Sequence, residues 1–120
     1  MKTGKLFLAI LFIYAFGLNL SAQTTTITQG KEETEMLTVS GNCKMCKKRI
    51  EKAVKKEGAS SAEWNIETKL LTVSFDPAKT SLDALGKKIA SVGHDTEKFK
   101  AEAKAYNALP SCCKYERTNH

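Results

Sequence analysis

One stretch decides the fold of this chain: Gly41-Asn42-Cys43-Lys44-Met45-Cys46-Lys47-Lys48-Arg49-Ile50. The alternating residues 35–40 before it predict a strand that ends at Gly41, and the residues from Lys44 onward predict a basic helix. Cys43 and Cys46 therefore lie in a tight loop and the first helical turn. Unpaired N–H groups and the positive dipole end at a helix start stabilise thiolates. Two thiolates that turn toward one point suit a soft metal ion.

The elements that follow alternate between helical and strand periods. A helix is expected over 44–57, with Gly58 ending it and the apolar face Cys46, Ile50, Ala53 and Val54. Residues 62–67 and 70–75 predict two strands joined as a hairpin at Thr68-Lys69. Ser81 is placed to cap a second helix, closed by Gly93, whose apolar face is Leu82, Leu85, Ile89 and Val92. A short strand is expected over 96–99.

This order, β-α-β-β-α-β, favours an α+β ferredoxin-like sandwich with both helices on one face of an antiparallel sheet. Right-handed crossovers place the third strand between the first two, and the fourth beside the first. The loop with Cys43 and Cys46 should then lie at the same end as Gly93 and His94.

The first 22 residues have the three parts of a secretory signal peptide. Lys2 and Lys5 precede an apolar run of roughly 11 residues, and Leu20-Ser21-Ala22 supplies small residues for cleavage. A bilayer span needs about 20 apolar residues. We therefore expect cleavage after Ala22 and a periplasmic or secreted protein, with an uncleaved anchor as the alternative. Residues 23–34 would form a flexible linker, 35–100 the domain and 101–120 a C-terminal extension.

The net charge and the expected export limit which partners the protein can have and whether its thiols stay reduced. Loss of Lys2 and Lys5 with the leader leaves 17 basic against 13 acidic residues. Nucleic acid is not an expected partner of an exported chain with so modest a basic excess and no stripe of basic and aromatic residues. Export would place all four cysteines in an oxidising compartment. A structural disulfide is therefore the main alternative for Cys43 and Cys46.

Residues 36–99 resemble a heavy-metal-associated domain, the module of copper chaperones, copper-pump N-terminal domains and the periplasmic mercury-binding protein. The similarity rests on the Cys-x-x-Cys loop between strand and helix, on Ile50-Glu51-Lys52-Ala53, on Gly58, on the hairpin from Trp64 to Phe75 with Asp76-Pro77, and on the helix that ends in Gly93. Gly41 stands where this family usually has methionine. The resemblance implies that Cys43 and Cys46 are the metal ligands.

The chemistry of two thiolates agrees with this implication. Thiolates favour Cu(I), Zn(II) and other thiophilic ions over Mg²⁺ or Ca²⁺. Two thiols leave a tetrahedral zinc site incomplete, whereas two-coordinate Cu(I) or Hg(II) is satisfied. A thiol-disulfide redox site, which uses the same sulfurs, is the alternative. Catalysis is not expected, because Cys43 has no clear base and orienting acid.

Four other residues are candidate donors. His94 is a candidate third ligand, with a solvated loop histidine as the alternative. Met45 offers a thioether between the cysteines. A helix over 102–109, ended by Pro110, would let the extension return Cys112 and Cys113 to the metal edge; disulfides or free tail thiols are the alternatives. His120 is terminal and is not expected to take part.

The sequence therefore predicts an exported, monomeric protein that buffers or hands over Cu(I), with a periplasmic Hg(II)-binding protein of a resistance system as the nearer alternative. The expected partner is a metal donor or acceptor such as a metal-transporting membrane pump. It would dock on the basic first helix through charge, although a solvated helix face is the simpler interpretation of its lysines. They are Lys44, Lys47, Lys48, Lys52, Lys55 and Lys56.

Overall fold

The computed structural model describes residues 31–117. The expected signal peptide, its cleavage after Ala22 and the terminal His120 lie outside these residues. Between residues 31 and 117, no helix has the length and apolar character needed to cross a bilayer.

The strands form one antiparallel sheet in the order β1-β3-β2. The elements, in chain order, are β1 (Glu33–Thr38), α1 (Lys44–Lys56), β2 (Ala59–Trp64), β3 (Leu70–Phe75), α2 (Leu82–Ser91), α3 (Ala103–Asn107) and a 3₁₀ turn (Ser111–Cys113). Helix α1 packs against β2 and α2. This confirms the α+β ferredoxin-like class. Strand β1 begins at Glu33, because residues 33 and 34 pair with Phe75 and Ser74 of β3.

The expected fourth strand over 96–99 is reduced to a single antiparallel bridge between Val39 and Thr96. This bridge lies on the side of β1 where the fourth strand was predicted. The strand does not continue because the chain turns back on itself, with Thr96 N donating to Phe99 O at 2.7 Å and Phe99 N donating to Thr96 Oγ1 at 2.8 Å. Turn hydrogen bonds have replaced the ladder that a longer strand would have made.

The apolar face predicted for α1 is buried. Cys46, Ile50, Ala53 and Val54 all point into the core. They meet the inward side chains of the sheet and of α2, among them Trp64, Leu71, Val73, Leu85 and Ile89. Burial of such side chains is the main favourable term in the folding free energy, at about 25 cal/mol per Å² of apolar surface. The core therefore fixes α1, and with it the loop at its start.

The ends of α2 follow the local sequence. Ser81 Oγ accepts from Ala84 N at 3.1 Å, as an N-cap should. Gly93 ends the helix with a φ of +103°, in the left-handed region that favours glycine. A Cβ there would lie 2.8 Å from the Ala105 carbonyl oxygen and 2.9 Å from Leu109. The C-terminal extension therefore packs directly on the turn after α2.

Helix α3 is shorter than expected. The predicted span of 102–109 is reduced to five residues, Ala103–Asn107. Leu109 is buried in the main core, and Pro110 precedes the 3₁₀ turn that carries both C-terminal cysteines. Burial of Leu109 pulls the chain inward before a longer helix can form. The extension thus joins the same core as the sandwich.

Candidate metal centre

The loop between β1 and α1 brings two thiols together at the helix start. Cys43 is the N-cap residue of α1 and Cys46 lies in its first turn. Their Sγ atoms are 3.5 Å apart. Cys43 is half-buried, whereas Cys46 is fully buried and accepts a hydrogen bond from Asn42 N at 3.4 Å. One thiol therefore faces outward and the other is held against the core.

The C-terminal cysteines lie at the same place. Cys113 Sγ is 3.5 Å from Cys43 Sγ, and Cys112 Sγ is 3.9 Å from Cys113 Sγ. The sulfurs of Cys43, Cys112 and Cys113 all lie within 4.8 Å of one another. Cys113 is fully buried and Cys112 is exposed. All four cysteines of the described residues are free thiols.

Tyr115 holds the cysteine-bearing tail to the end of the sandwich. Its hydroxyl donates to Gly93 O and accepts from Asp95 N, both at 2.8 Å. Its ring stacks on the His94 imidazole with centroids 5.7 Å apart. Asn42, in the loop between β1 and α1, adds a direct tie, since its Nδ2 donates to Lys114 O at 2.9 Å. Loop and tail are therefore positioned as one unit.

The thiols differ in acidity. Burial raises the pKa of the Cys43 thiol, but hydrogen bonds from Cys46 and Cys113, together with backbone N–H groups, lower it to about 7. Burial raises the pKa of Cys46 to about 11. The pKa of Cys112 is raised, chiefly by its hydrogen bond with Cys113. Cys43 therefore supplies a thiolate near neutral pH more readily than Cys46 or Cys112 does.

His94 does not join this sulfur group. It is fully buried, and its Nδ1 lies 2.8 Å from Ser40 O. Its Nε2 has no hydrogen-bond partner among the described residues. Burial lowers the pKa of the ring, so that the neutral imidazole is favoured. Placed between Ser40 and Tyr115, this side chain braces the loop against the tail.

Met45 and the lysines of α1 differ in their surroundings. Met45 is exposed, and its Sδ lies 3.6 Å from Cys112 Sγ at the outer edge of the sulfur group. Lys47 Nζ donates to Glu51 Oε1 at 2.8 Å and to Trp64 O at 3.2 Å. Lys47 is therefore part of the framework. The other five lysines of the helix, which are Lys44, Lys48, Lys52, Lys55 and Lys56, are exposed.

Gly41 allows Trp64 to support the loop. A Cβ on Gly41 would lie 2.9 Å from Trp64 Cη2 and 3.1 Å from Cys46 Cβ. Trp64 Nε1 donates to Val39 O at 3.0 Å, and Lys69 Nζ donates to Gly41 O at 2.7 Å. The indole thus fills the space beside the loop at the position where the family usually carries a methionine.

Sequence reasoning missed the residues that hold the tail. Asn42, Tyr115 and Arg117 carried no local signal, because each acts on a partner more than 20 positions away. The nearest clue was composition: an aromatic and a basic residue directly follow Cys112-Cys113 in an otherwise polar end.

The family described as heavy-metal-associated domain matches residues 36–95. A periplasmic component of a mercuric transport protein from Shewanella putrefaciens is 37% identical over 95 residues, which are 78% of this chain and 93% of that protein. A copper-exporting P-type ATPase from Staphylococcus saprophyticus is 37% identical over 73 residues, 60% of this chain. The chain spans only 9% of that ATPase.

Two solved structures are similar in the same region. The CopZ metallochaperone superposes with a TM-score of 0.51 at 30% identity, covering 53% of this chain and 98% of its own. Oxidized MerP from Ralstonia metallidurans CH34 superposes with a TM-score of 0.52 at 37% identity, covering 55% and 94%. The family match ends at residue 95, before α3 and the C-terminal cysteines. By the strand-loop-helix arrangement of its Cys-x-x-Cys and by these similarities, the chain belongs to the heavy-metal-associated domain family.

Proposed function

We propose that this protein binds a soft metal ion through Cys43 and Cys46 and buffers or hands over Cu(I). The observation that carries the proposal is the pair of thiols 3.5 Å apart at the start of α1, one half-exposed and one buried. Thiolates select soft ions, and a half-exposed ligand lets an acceptor reach the bound ion. The ion is cargo, and the protein supplies ligands and orientation.

A chelator competition tests this proposal. The reduced protein, kept anaerobic, should retain one equivalent of Cu(I) against a chelator of moderate strength. Replacing Cys43 and Cys46 together by Ser should lower the affinity by on the order of 10²-fold or more, because a tethered ligand pair acts at high effective concentration. Failure of the unaltered protein to retain Cu(I) would overturn the carrier function. A Thr72→Ser variant, exposed on β3, is the control and should bind as the parent does.

Binding of Hg(II) in a resistance system is the second candidate. It is favoured by the Shewanella putrefaciens mercuric transport relative, of which this chain covers 93%. The two candidates differ in the phenotype of a strain that lacks the gene. Loss of tolerance to copper salts but not to mercury salts supports the Cu(I) function, and the reverse supports the Hg(II) function.

A thiol-disulfide redox protein is the third candidate, since it would use the same sulfurs. It differs from a carrier in the state of its cysteines. Mass spectrometry of thiols trapped in living cells should find Cys43 and Cys46 reduced or metal-protected. A Cys43–Cys46 disulfide that exchanges with partner proteins would instead support redox activity.

Export is proposed from the leader sequence. The mature protein should begin at Gln23 and fractionate with the periplasm or the medium. N-terminal sequencing of the protein from its own cells checks both points. A chain that retains residues 1–22 in the membrane would indicate an uncleaved anchor.

The acceptor is proposed to be a metal-transporting membrane protein whose acidic surface meets α1. Four exposed lysines near one another on this helix, Lys48, Lys52, Lys55 and Lys56, supply the charge. Such docking should make the rate of metal transfer fall steeply with salt. Lys48→Gln should slow the transfer, while Lys79→Gln, at an exposed turn beyond β3, should not. Equal rates for both variants would exclude α1 as the docking surface.

A further inference from the structure

We propose that Cys112 and Cys113 belong to the metal site. Cys113 is a third thiolate ligand, buried beside Cys43. Cys112 is the exposed thiol at which the ion is exchanged. This inference rests on the proposed function, since it presumes that the loop binds a soft ion. It assigns a ligand role to residues that lie beyond the part of the chain matched by the family, which ends at residue 95. The extension would convert an open two-thiolate loop into a closed site.

The sulfur spacing fits a shared ion. With metal–sulfur bonds of about 2.3 Å, two ligands of a trigonal site lie about 4.0 Å apart and two ligands of a linear site about 4.6 Å apart. The observed separations are 3.5 Å for Cys43–Cys113 and 3.9 Å for Cys112–Cys113. The Cys43–Cys46 separation is also 3.5 Å. Each of these three separations is nearer to the ligand spacing of a trigonal site than to that of a linear pair.

The position of Cys113 is fixed by the fold before any ion binds. Its side chain is fully buried in the main core, and its N–H donates to Pro110 O at 2.9 Å within the 3₁₀ turn. Tyr115 and Asn42 tie the flanking chain to the sandwich. A ligand ordered during folding loses little entropy when the ion arrives. Cys113 should therefore add substantially to affinity.

Cys112 occupies the opposite environment. It is exposed, and its Sγ lies near both Cys113 and the thioether of Met45. An ion that reaches this thiol can pass inward to Cys113 and Cys43 by exchange of ligands. On release, bonds to acceptor thiolates form as the bonds to Cys43, Cys46 and Cys113 break, with the bond to Cys112 Sγ breaking last, and each freed thiolate takes up the proton that an acceptor thiol has given up. The oxidation state of the ion does not change.

Two serine variants separate the roles of these neighbours. X-ray absorption of the Cu(I)-loaded, reduced protein should count three sulfur neighbours, and Cys113→Ser should lower that count to two. The affinity of Cys113→Ser should fall by about 10²-fold. Cys112→Ser, the matched control one residue away, should keep most of the affinity but transfer the ion to a small-molecule dithiol at least about tenfold more slowly.

The outcomes are distinguishable from failure of the proposed function. If the unaltered protein does not bind Cu(I), the proposed function itself is wrong. If it binds Cu(I) with only two sulfur neighbours, the third ligand is excluded even where Cys113→Ser fails to fold. Equal affinities for Cys113→Ser and the parent, or a Cys43–Cys113 disulfide in protein purified without oxidant, would also overturn the inference.

Discussion

Arg117 and Asp95 form a bidentate ion pair that closes the C-terminal extension onto the domain. Arg117 Nε donates to Asp95 Oδ2 at 3.0 Å, and Nη2 donates to Oδ1 at 2.8 Å. The same guanidinium donates to Ala101 O at 2.6 Å. Their side chains are 26% and 11% exposed, so that water screens the pair only partly. In the chain, Cys112 and Cys113 lie between α3 and Arg117.

Arg117→Met should destabilise the protein by about 2 kcal/mol, because it leaves a largely buried carboxylate without its charged partner. The free energy of unfolding in urea measures the loss. Lys98→Met is the matched control, since it breaks an ion pair with Asp83 whose side chains are 65% and 54% exposed. That change should shift stability by less than about 1 kcal/mol. Equal losses in the two variants would contradict the role assigned to Arg117.

Because of Asp95, the free energy of unfolding should fall at acidic pH. Burial raises the pKa of this carboxyl, but hydrogen bonds from Arg117 and Ala101 outweigh burial and hold the pKa below its usual value. A depressed folded-state pKa gives stability that is present above the unfolded pKa, about 3.9, and is lost as pH falls through the folded pKa. Unfolding followed from pH 6 to pH 2 should show this loss. Asp95→Asn should remove that part of the acid dependence, and an unchanged profile would contradict the assignment.

Gly41→Ala should destabilise the protein by about 1–3 kcal/mol, because its Cβ would press on the Trp64 ring. The closest approach would be 2.9 Å, to Trp64 Cη2. Trp64→Leu removes that atom, so the effect of Gly41→Ala should be smaller in the Trp64→Leu background. A double-mutant cycle on unfolding free energies measures the coupling, expected at about 0.5–3 kcal/mol. Strict additivity would show that the indole does not pack against the loop.

Alkylation should reveal the unequal thiols of the metal-free, reduced protein. The rate at Cys43 should rise with pH to a plateau with a midpoint near its pKa of about 7, because the thiolate is the nucleophile. Cys112, whose pKa is raised, should show its midpoint above the usual range for a thiol. Iodoacetamide labelling followed by peptide mass spectrometry reads each site separately.

The internal control for that experiment is Cys46, which is fully buried and has a pKa of about 11. It should stay unlabelled at neutral pH while the fold is intact, and react once the protein is unfolded in denaturant. Identical midpoints for Cys43 and Cys112 would contradict the hydrogen-bond pattern described for the loop.

Much of the fold could be predicted because its signals are local. The buried face of α1, the strand Leu70–Phe75 and the Ser81 cap each follow from residues within a few positions of one another. The second strand was predicted three residues late, since Ala59–Trp64 gains its register from pairing with β3. The fourth strand shrank to one bridge, because the turn at Thr96–Phe99 satisfies its backbone groups.

The candidate site likewise has one part that follows from local sequence and another that does not. The sequence by itself determined that Cys43 and Cys46 meet at a helix start, since a spacing of three residues on one helical turn fixes their separation. Only the tertiary structure decided that Cys113 is buried beside Cys43 while its neighbour Cys112 faces solvent. That choice depends on contacts of Tyr115 and Arg117 with residues 22 positions earlier. Such contacts produce no periodic pattern in the sequence. They form only when the whole core assembles, because burial of the core must offset the chain entropy that long-range contacts remove.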